Sequence, residues 1–341
     1  MSKMVVGITG YAAYIPRLRI KREEYAKAWG SCSAAGVNEK SVMGFDEDAL
    51  TSAVKVSKRA LESAALAAEK ITRFALASTS APYTEKLLSG TVLVGVGIPN
   101  NAFSTDHTTS TRAGTEAFLA GVEHLSANPS GRALVAVADA PSASMWDPIE
   151  HGLGAGAAAF VLSNENLIAE IEGWSSYASE YFGERFKERG DPNMRDINVK
   201  KFEEGSLITN TTKAGGALLK KLGRKPEEYQ HVVIQQPDAR VPATVSARLS
   251  FTDPQLAIGL VSKFLGDLGA ASTPVALAAV LDVAKVGDKI MVISYGSGAG
   301  SDAISLKVVN DRKSPFKVQA EADRKEYIDY VKYLKIKGAI V

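Results

Sequence analysis

Strand-like and helix-like runs alternate along this chain of 341 residues, and like elements return in its second half at matching intervals. Short runs rich in apolar and β-branched residues predict strands at 5–8, 74–77, 133–138, 156–162, 167–171, 232–235, 289–294 and 303–308. Helical spacing of apolar positions predicts helices over 46–64, 115–125, 210–222, 242–249, 253–264 and 274–284, the first opening on Asp46, Glu47 and Asp48, which suit a positive helix end. The run 91–98 fits either state: its β-branched residues favour a strand, and the alternation asks for a helix. Ala77, Thr115 and Val135 stand 38 and then 20 residues apart, and Ile234, Ser272 and Val292 repeat both intervals 157 residues later. Such a chain is an α/β protein, and the repeat predicts two stacked copies of one α/β unit. The copies are expected at 1–172 and 210–341, with 173–209 as insert and connector.

Composition narrows the function classes. With 45% hydrophobic and 23% charged residues the chain can bury a large core, and a net charge of +2 gives no electrostatic case for a nucleic-acid partner. The basic clusters Arg17, Arg19, Lys21 and Arg22, and Lys220, Lys221, Arg224 and Lys225, read as solvated faces. No window reaches the ~18 unbroken apolar residues of a membrane span, and the first residues lack the pattern of a secretory signal, so no membrane partner and a cytoplasmic location are expected. The single cysteine, Cys32, cannot form an internal disulfide and lies in a small-residue stretch away from any catalytic-looking turn. Histidine, cysteine and carboxylates do not cluster at ligand spacing, so no metal is expected. Residues 177–204 are polar, charged and aromatic with no regular period. Such an insert covers a site or an interface, or serves as a plain connector.

Two turns carry the chemistry. Ser110-Thr111-Arg112-Ala113-Gly114-Thr115 follows an extended run and opens a helix, a junction where the helix field would favour a cysteine thiolate. A hydroxyl gains almost nothing from that field and needs an adjacent base, and a Ser/Thr helix cap is the plain alternative. His107, with Glu85 or Asp106 to orient it, is the candidate base for Thr111. Four residues of extended chain span about 13 Å, beyond hydrogen-bond reach unless the turn folds back. His124, His151 and His231 read as structural. Near the C-terminus, residues 293–303 join two strands through Gly296, Gly298 and Gly300, which let backbone amides approach a ligand or another loop closely. No Lys-Ser/Thr follows and no helix opens there, so this is not a phosphate loop of the usual kind.

These two turns, together with Asp46-Glu47-Asp48, Gly154-Ala155-Gly156-Ala157-Ala158-Ala159-Phe160, Ala276-Leu277-Ala278-Ala279-Val280-Leu281-Asp282 and the tail 330–338, resemble the hydroxymethylglutaryl-CoA synthase family of archaeal and bacterial type. The resemblance runs from Val5 to Gly338. It implies the thiolase fold, a duplicated βαβαβαββ unit in a five-layered αβαβα body, and a dimer. Active members use a cysteine acylated by a thioester, a histidine that binds and polarises the second acyl group, and a glutamate as general acid/base. The resemblance puts these at Thr111, Gln235 and Thr79, and an orienting asparagine at Asp267. Losing an activated nucleophile removes on the order of 10⁴ to 10⁶ in rate, and losing the acid/base group a further ~10² to 10⁴. Gln235 can still donate a hydrogen bond, though it cannot become cationic.

What the resemblance implies is therefore a catalytically silent subunit of a heteromeric acyltransferase or C–C bond-forming complex. Its partners would be an active thiolase-like chain and a small zinc-ribbon/OB-domain protein, and its ligand CoA or acyl-CoA, bound without a covalent link and near Gly296, Gly298 and Gly300. Two alternatives stand beside it. One is a CoA-dependent lyase, hydratase or condensing enzyme that uses Asp267, His107 or a residue of the insert; the other is a CoA-thioester-binding module.

Overall fold

The computed structural model describes residues 5–181, 185–196 and 204–341. Its strands are β1 (Gly7–Tyr14), β2 (Leu18–Lys21), β3 (Glu39–Val42), β4 (Arg73–Ala77), β5 (Phe103–His107), β6 (Ala133–Asp139), β7 (Gly156–Ser163), β8 (Ala169–Ala178), β9 (His231–Ile234), β10 (Lys289–Ile293), β11 (Gly300–Val308) and β12 (Glu326–Ile328). The principal helices, numbered among themselves, are α1 (Arg22–Trp29), α2 (Ala49–Ser63), α3 (Leu88–Val96), α4 (Ala113–Ala127), α5 (Thr209–Leu222), α6 (Val241–Arg248), α7 (Ser272–Leu281) and α8 (Tyr330–Ile336).

Nine strands pair in the order β5-β4-β6-β7-β1-β8-β11-β10-β9. The junction in the middle is thin, since β1 and β8 meet only through Gly7 with Glu170 and Ile8 with Ala169. On either side the pairing is the same. β4 runs parallel to β6, which is antiparallel to β7, which is antiparallel to β1. Likewise β9 runs parallel to β10, which is antiparallel to β11, which is antiparallel to β8. The duplication expected from spacing is thus a duplication of sheet topology. β8 reaches across the expected boundary at 172/173 and pairs with β11 along its length.

Alternation along the strands builds the layers, because successive side chains point to opposite faces. Ala75, Val135, Val137 and Phe160 of the first half and Val233, Val292, Ile304 and Leu306 of the second face one shared core with α4 and α7. Phe74, Leu76, Leu134 and Ala136 point the other way, onto α2 and α3, and Val232, Ile234, Met291 and Ile293 point onto α5 and α6. The result is five layers, αβαβα. Helices sandwiched between two sheets are apolar on all sides, so the buried residues of α4 and α7 do not confine themselves to one stripe.

Two expectations are resolved by side chains from elsewhere in the chain. The ambiguous run 91–98 lies mostly in α3, because Asp106 of the neighbouring β5 accepts hydrogen bonds from the Leu88 and Ser89 amides, at 2.7 Å each, and caps the helix. The single helix expected over 253–264 is two short ones, Asp253–Ala257 and Ser262–Leu265. The buried Gln236 side chain occupies the break, donating to the Gly259 carbonyl at 2.6 Å and accepting from the Ser262 amide at 2.9 Å.

A small sheet, β12-β2-β3, forms an end piece with α1 and α8. A buried ion pair fastens it to the body: the Lys40 ammonium on β3 lies 2.8 Å from Glu150 Oε1 and 2.5 Å from the Glu150 carbonyl oxygen. The Tyr333 hydroxyl of α8 donates to the same carboxylate oxygen, and Tyr25 of α1 does so at 3.4 Å. Burial pulls the Lys40 pKa down to about 8 against the opposing pull of Glu150. Burial would raise the Glu150 carboxyl, yet Lys40 and Tyr333 outweigh it and hold the group below its usual range. Lys40→Met leaves a buried carboxylate uncompensated and is expected to cost about 3–5 kcal/mol of stability. Urea unfolding measures this, and a loss below about 1 kcal/mol would show that the pair does not fasten the end piece.

Candidate active site

The two buried helices begin at the same place. A side chain at Gly114, in the first turn of α4, would put its Cβ 2.6 Å from the Ala270 carbonyl oxygen, so only glycine allows this approach to the 3₁₀ turn Gly269–Ala271 that precedes α7. Thr111 stands two residues before α4, Asp267 two before the 3₁₀ turn, and Gln235 directly after β9.

That 3₁₀ turn is the hub of the site. The Gly269 amide donates to Asp267 Oδ1 at 2.9 Å, and its carbonyl accepts from Gln235 Nε2 at 3.0 Å. The Ala270 amide donates to Asp139 Oδ2 at 2.8 Å, the oxygen that also accepts from Thr79 Oγ1 at 2.6 Å. Asp139 is fully buried and takes further hydrogen bonds from the Thr79 amide and the Ser80 hydroxyl on its other oxygen. Thr111, Gln235 and Asp267 line one cavity of about 360 Å³. Thr79 does not line it and reaches the others only through Asp139.

The insert brings a charged side chain to the cavity wall. Arg185 Nη1 lies 2.6 Å from Asp267 Oδ2 with little of either side chain exposed. The Thr111 hydroxyl donates to the Tyr295 carbonyl at 2.8 Å, so its proton is directed at a backbone oxygen. Among the described residues the cavity lining holds no cysteine, histidine, glutamate or lysine.

The glycine-rich turn packs on the chain itself. A Cβ at Gly296 would fall 2.4 Å from Ser110 Oγ and one at Gly300 2.8 Å from Arg112 Nη1, while Gly298 has φ +84°. Tyr295 and Ser297 of this turn line the cavity, whereas Gly296, Gly298 and Gly300 do not. The contact is locked by Arg112, whose Nε and Nη2 grip the buried Asp302 at 2.8 and 2.9 Å. Thr115 and Ser176 hydroxyls donate to the same carboxylate.

The other candidates sit apart. His107 lies on β5, 3.4 Å from Thr105 Oγ1, and does not line the cavity. Burial, then Arg73, lowers its pKa. Asp106 is spent on capping α3, and Glu85 is exposed. His151 accepts from the Ser33 amide, and His231 pairs with Asp288 at 3.5 Å. Two residues central to the site escaped the sequence reading. Asp139 did leave a signal, an acid closing an otherwise wholly apolar strand; Arg185, inside an aperiodic insert, left only its charge.

Two matched α/β halves around a pair of buried helices, with a cavity where those helices begin, define a protein of the thiolase-like fold. The C-terminal family of 3-oxoacyl-[acyl-carrier-protein] synthase III matches residues 219–308. Over the full length the chain is 33% identical to a hydroxymethylglutaryl-CoA synthase of Methanobrevibacter smithii, covering 98% of this chain and 99% of the relative. It is also 33% identical to that of Archaeoglobus fulgidus, covering 97% and 98%. The chain belongs to the hydroxymethylglutaryl-CoA synthase family. Among solved structures it is similar in fold to MvaS in complex with 3-hydroxy-3-methylglutaryl coenzyme A, with TM-score 0.88 at 18% identity over 99% of this chain and 92% of the other. It is similar too to 3-oxoacyl-[acyl-carrier-protein] synthase III from Aquifex aeolicus, with TM-score 0.79 at 20% identity over 89% and 99%.

The hub is testable. Gly269 has φ +57°, and a Cβ there would stand 2.3 Å from Asp139 Oδ2. Gly269→Ala is expected to cost on the order of 2 kcal/mol or more in urea unfolding. A neutral result would mean that the turn is free to move away from Asp139.

Proposed function

We propose that this chain is a catalytically silent member of its family, which binds CoA or an acyl-CoA thioester without a covalent link. It would serve as a subunit of a heteromeric acyltransferase or C–C bond-forming complex. The observation that carries this reading is the state of Thr111. An alcohol attacks a thioester only when a base takes its proton, and the Thr111 hydroxyl donates its hydrogen bond to the Tyr295 carbonyl, which cannot act as such a base. Thr79 and Gln235 offer no proton that moves near neutral pH, and each donates a hydrogen bond that holds the scaffold together.

The cavity itself supports a binding role. It is lined from both halves and the insert, and its wall carries Arg185 and Arg240 beside Asp196, Asp238 and Asp267. Related folds have been solved with 3-hydroxy-3-methylglutaryl coenzyme A, with CoA and with a donor acyl-carrier protein. A CoA thioester is thus the ligand class, and the glycine-rich turn would act by shaping the wall that Tyr295 and Ser297 present. An active thiolase-like chain would supply the missing nucleophile, with a zinc-ribbon/OB-domain protein as third member, in the cytoplasm. Both Asp267 oxygens are engaged, one by Arg185 and the other by the Gly269 amide, so the carboxylate is held in the scaffold.

Two measurements test the reading together. Incubation of the purified chain with acetyl-CoA or acetoacetyl-CoA is expected to leave its intact mass unchanged, and purification from the native host is expected to bring down a thiolase-like chain. Covalent acylation, turnover by the isolated chain, or a strictly homomeric protein overturns it.

A further inference from the structure

A second cavity, of about 240 Å³, lies where the end piece meets the layered body. Its wall comes from the end of β3 and the loop after it, the start of α2, residues 153–155 and the end of α8. It shares no residue with the wall around Thr111, Gln235 and Asp267. Val42, Met43, Leu153 and Ile336 supply its apolar surface. Most of its polar side chains are committed elsewhere. The Ser41 hydroxyl donates to the Ala155 carbonyl, the Ser80 hydroxyl to Asp139, and the Tyr333 hydroxyl to Glu150. Glu47 accepts from the Tyr14 hydroxyl and the Gly44 amide, and Asp48 caps α2 through the Thr51 amide.

Lys337 is the exception. It closes α8 one turn after Tyr333, and both residues line this cavity from the same side of the helix. It has no hydrogen bond and no ion pair among the described residues. Glu150 is the carboxylate whose field reaches it, and Lys40 already holds that group at 2.8 Å. Two lysines thus draw on one buried carboxylate, which leaves one positive charge unmatched at the cavity wall. Burial accordingly lowers the Lys337 pKa, with Glu150 pulling the other way. A charge withdrawn from water without a partner is costly, and an anion that pairs with it recovers part of that cost.

The rest of the wall limits what the anion can be. Glu47 and Asp48 add two negative charges, neither within ion-pair distance of Lys337, so a second anionic group on the ligand meets repulsion. That disfavours dicarboxylates and phosphate monoesters, which carry close to two charges near neutral pH. The apolar surface suits a hydrocarbon body, and the volume falls below the ~300–1,000 Å³ of sites for larger ligands. We propose that this cavity binds a small monocarboxylate, with its carboxylate on Lys337 and its hydrocarbon body against Val42, Met43, Leu153 and Ile336. The site does not depend on how the larger cavity is used.

Titration calorimetry of the full chain with hexanoate, adipate and hexan-1-ol compares one, two and no carboxylates on the same carbon count. Hexanoate is expected to bind about tenfold or more tightly than either of the others. Lys337→Met and Lys337→Gln, with folding checked by thermal unfolding, are expected to lose that preference. Adipate or hexan-1-ol binding the unaltered chain as tightly as hexanoate overturns the inference. So does a hexanoate preference that survives in either folded variant, or no hexanoate binding at tens of millimolar ligand. None of these results bears on the acyl-CoA reading, which is judged by intact mass, turnover and co-purification.

Discussion

The abutment of two helix ends governs this molecule. Because position 114 has no side chain, α4 can press its first turn against the Ala270 carbonyl, and the turn Gly269–Ala271 can then face both halves at once. From one side it takes Asp139, and through it Thr79; from the other it takes Gln235 and Asp267. Three of the four positions singled out by the resemblance, Thr79, Gln235 and Asp267, therefore hang on a few backbone groups of one short turn. A side chain at Gly114 would separate the helices and, with them, the two halves of the site.

The same contacts show how the residues here have been put to work. Thr79, Thr111, Gln235 and Asp267 are neither loose nor solvent-filled replacements, since every one is engaged in a defined interaction with the surrounding scaffold. In the proposed function architecture and reactivity have come apart: these side chains hold the scaffold, and among the described residues the cavity lining offers no cysteine, histidine or glutamate.

Much of this was legible beforehand. The alternation of strands and helices and the 157-residue repeat anticipated the two halves, because periodicity reports which face of each element is buried. Helix boundaries failed where a distant side chain decided them, as Asp106 did for α3 and Gln236 did for the broken helix at 253–264. The resemblance singled out Thr111, Gln235 and Asp267, which do line one cavity. Arg185 was invisible, since nothing in an aperiodic insert reveals which of its charges will fold inward. The glycines near the C-terminus illustrate the ambiguity of such turns: Gly296 and Gly300 let the turn approach Ser110 and Arg112 closely.

Glu150, which Tyr333 and Lys40 hold, belongs to the short turn Pro148–Gly152, and Pro148, Ile149 and Gly152 of that turn form part of the cavity wall. The helix Tyr330–Ile336 is thus mechanically coupled to the cavity, although it lies outside the layered body. Anything that tugs on that helix, whether a neighbouring subunit or an appended tag, acts on that wall through Glu150, by way of Tyr333 and Lys40.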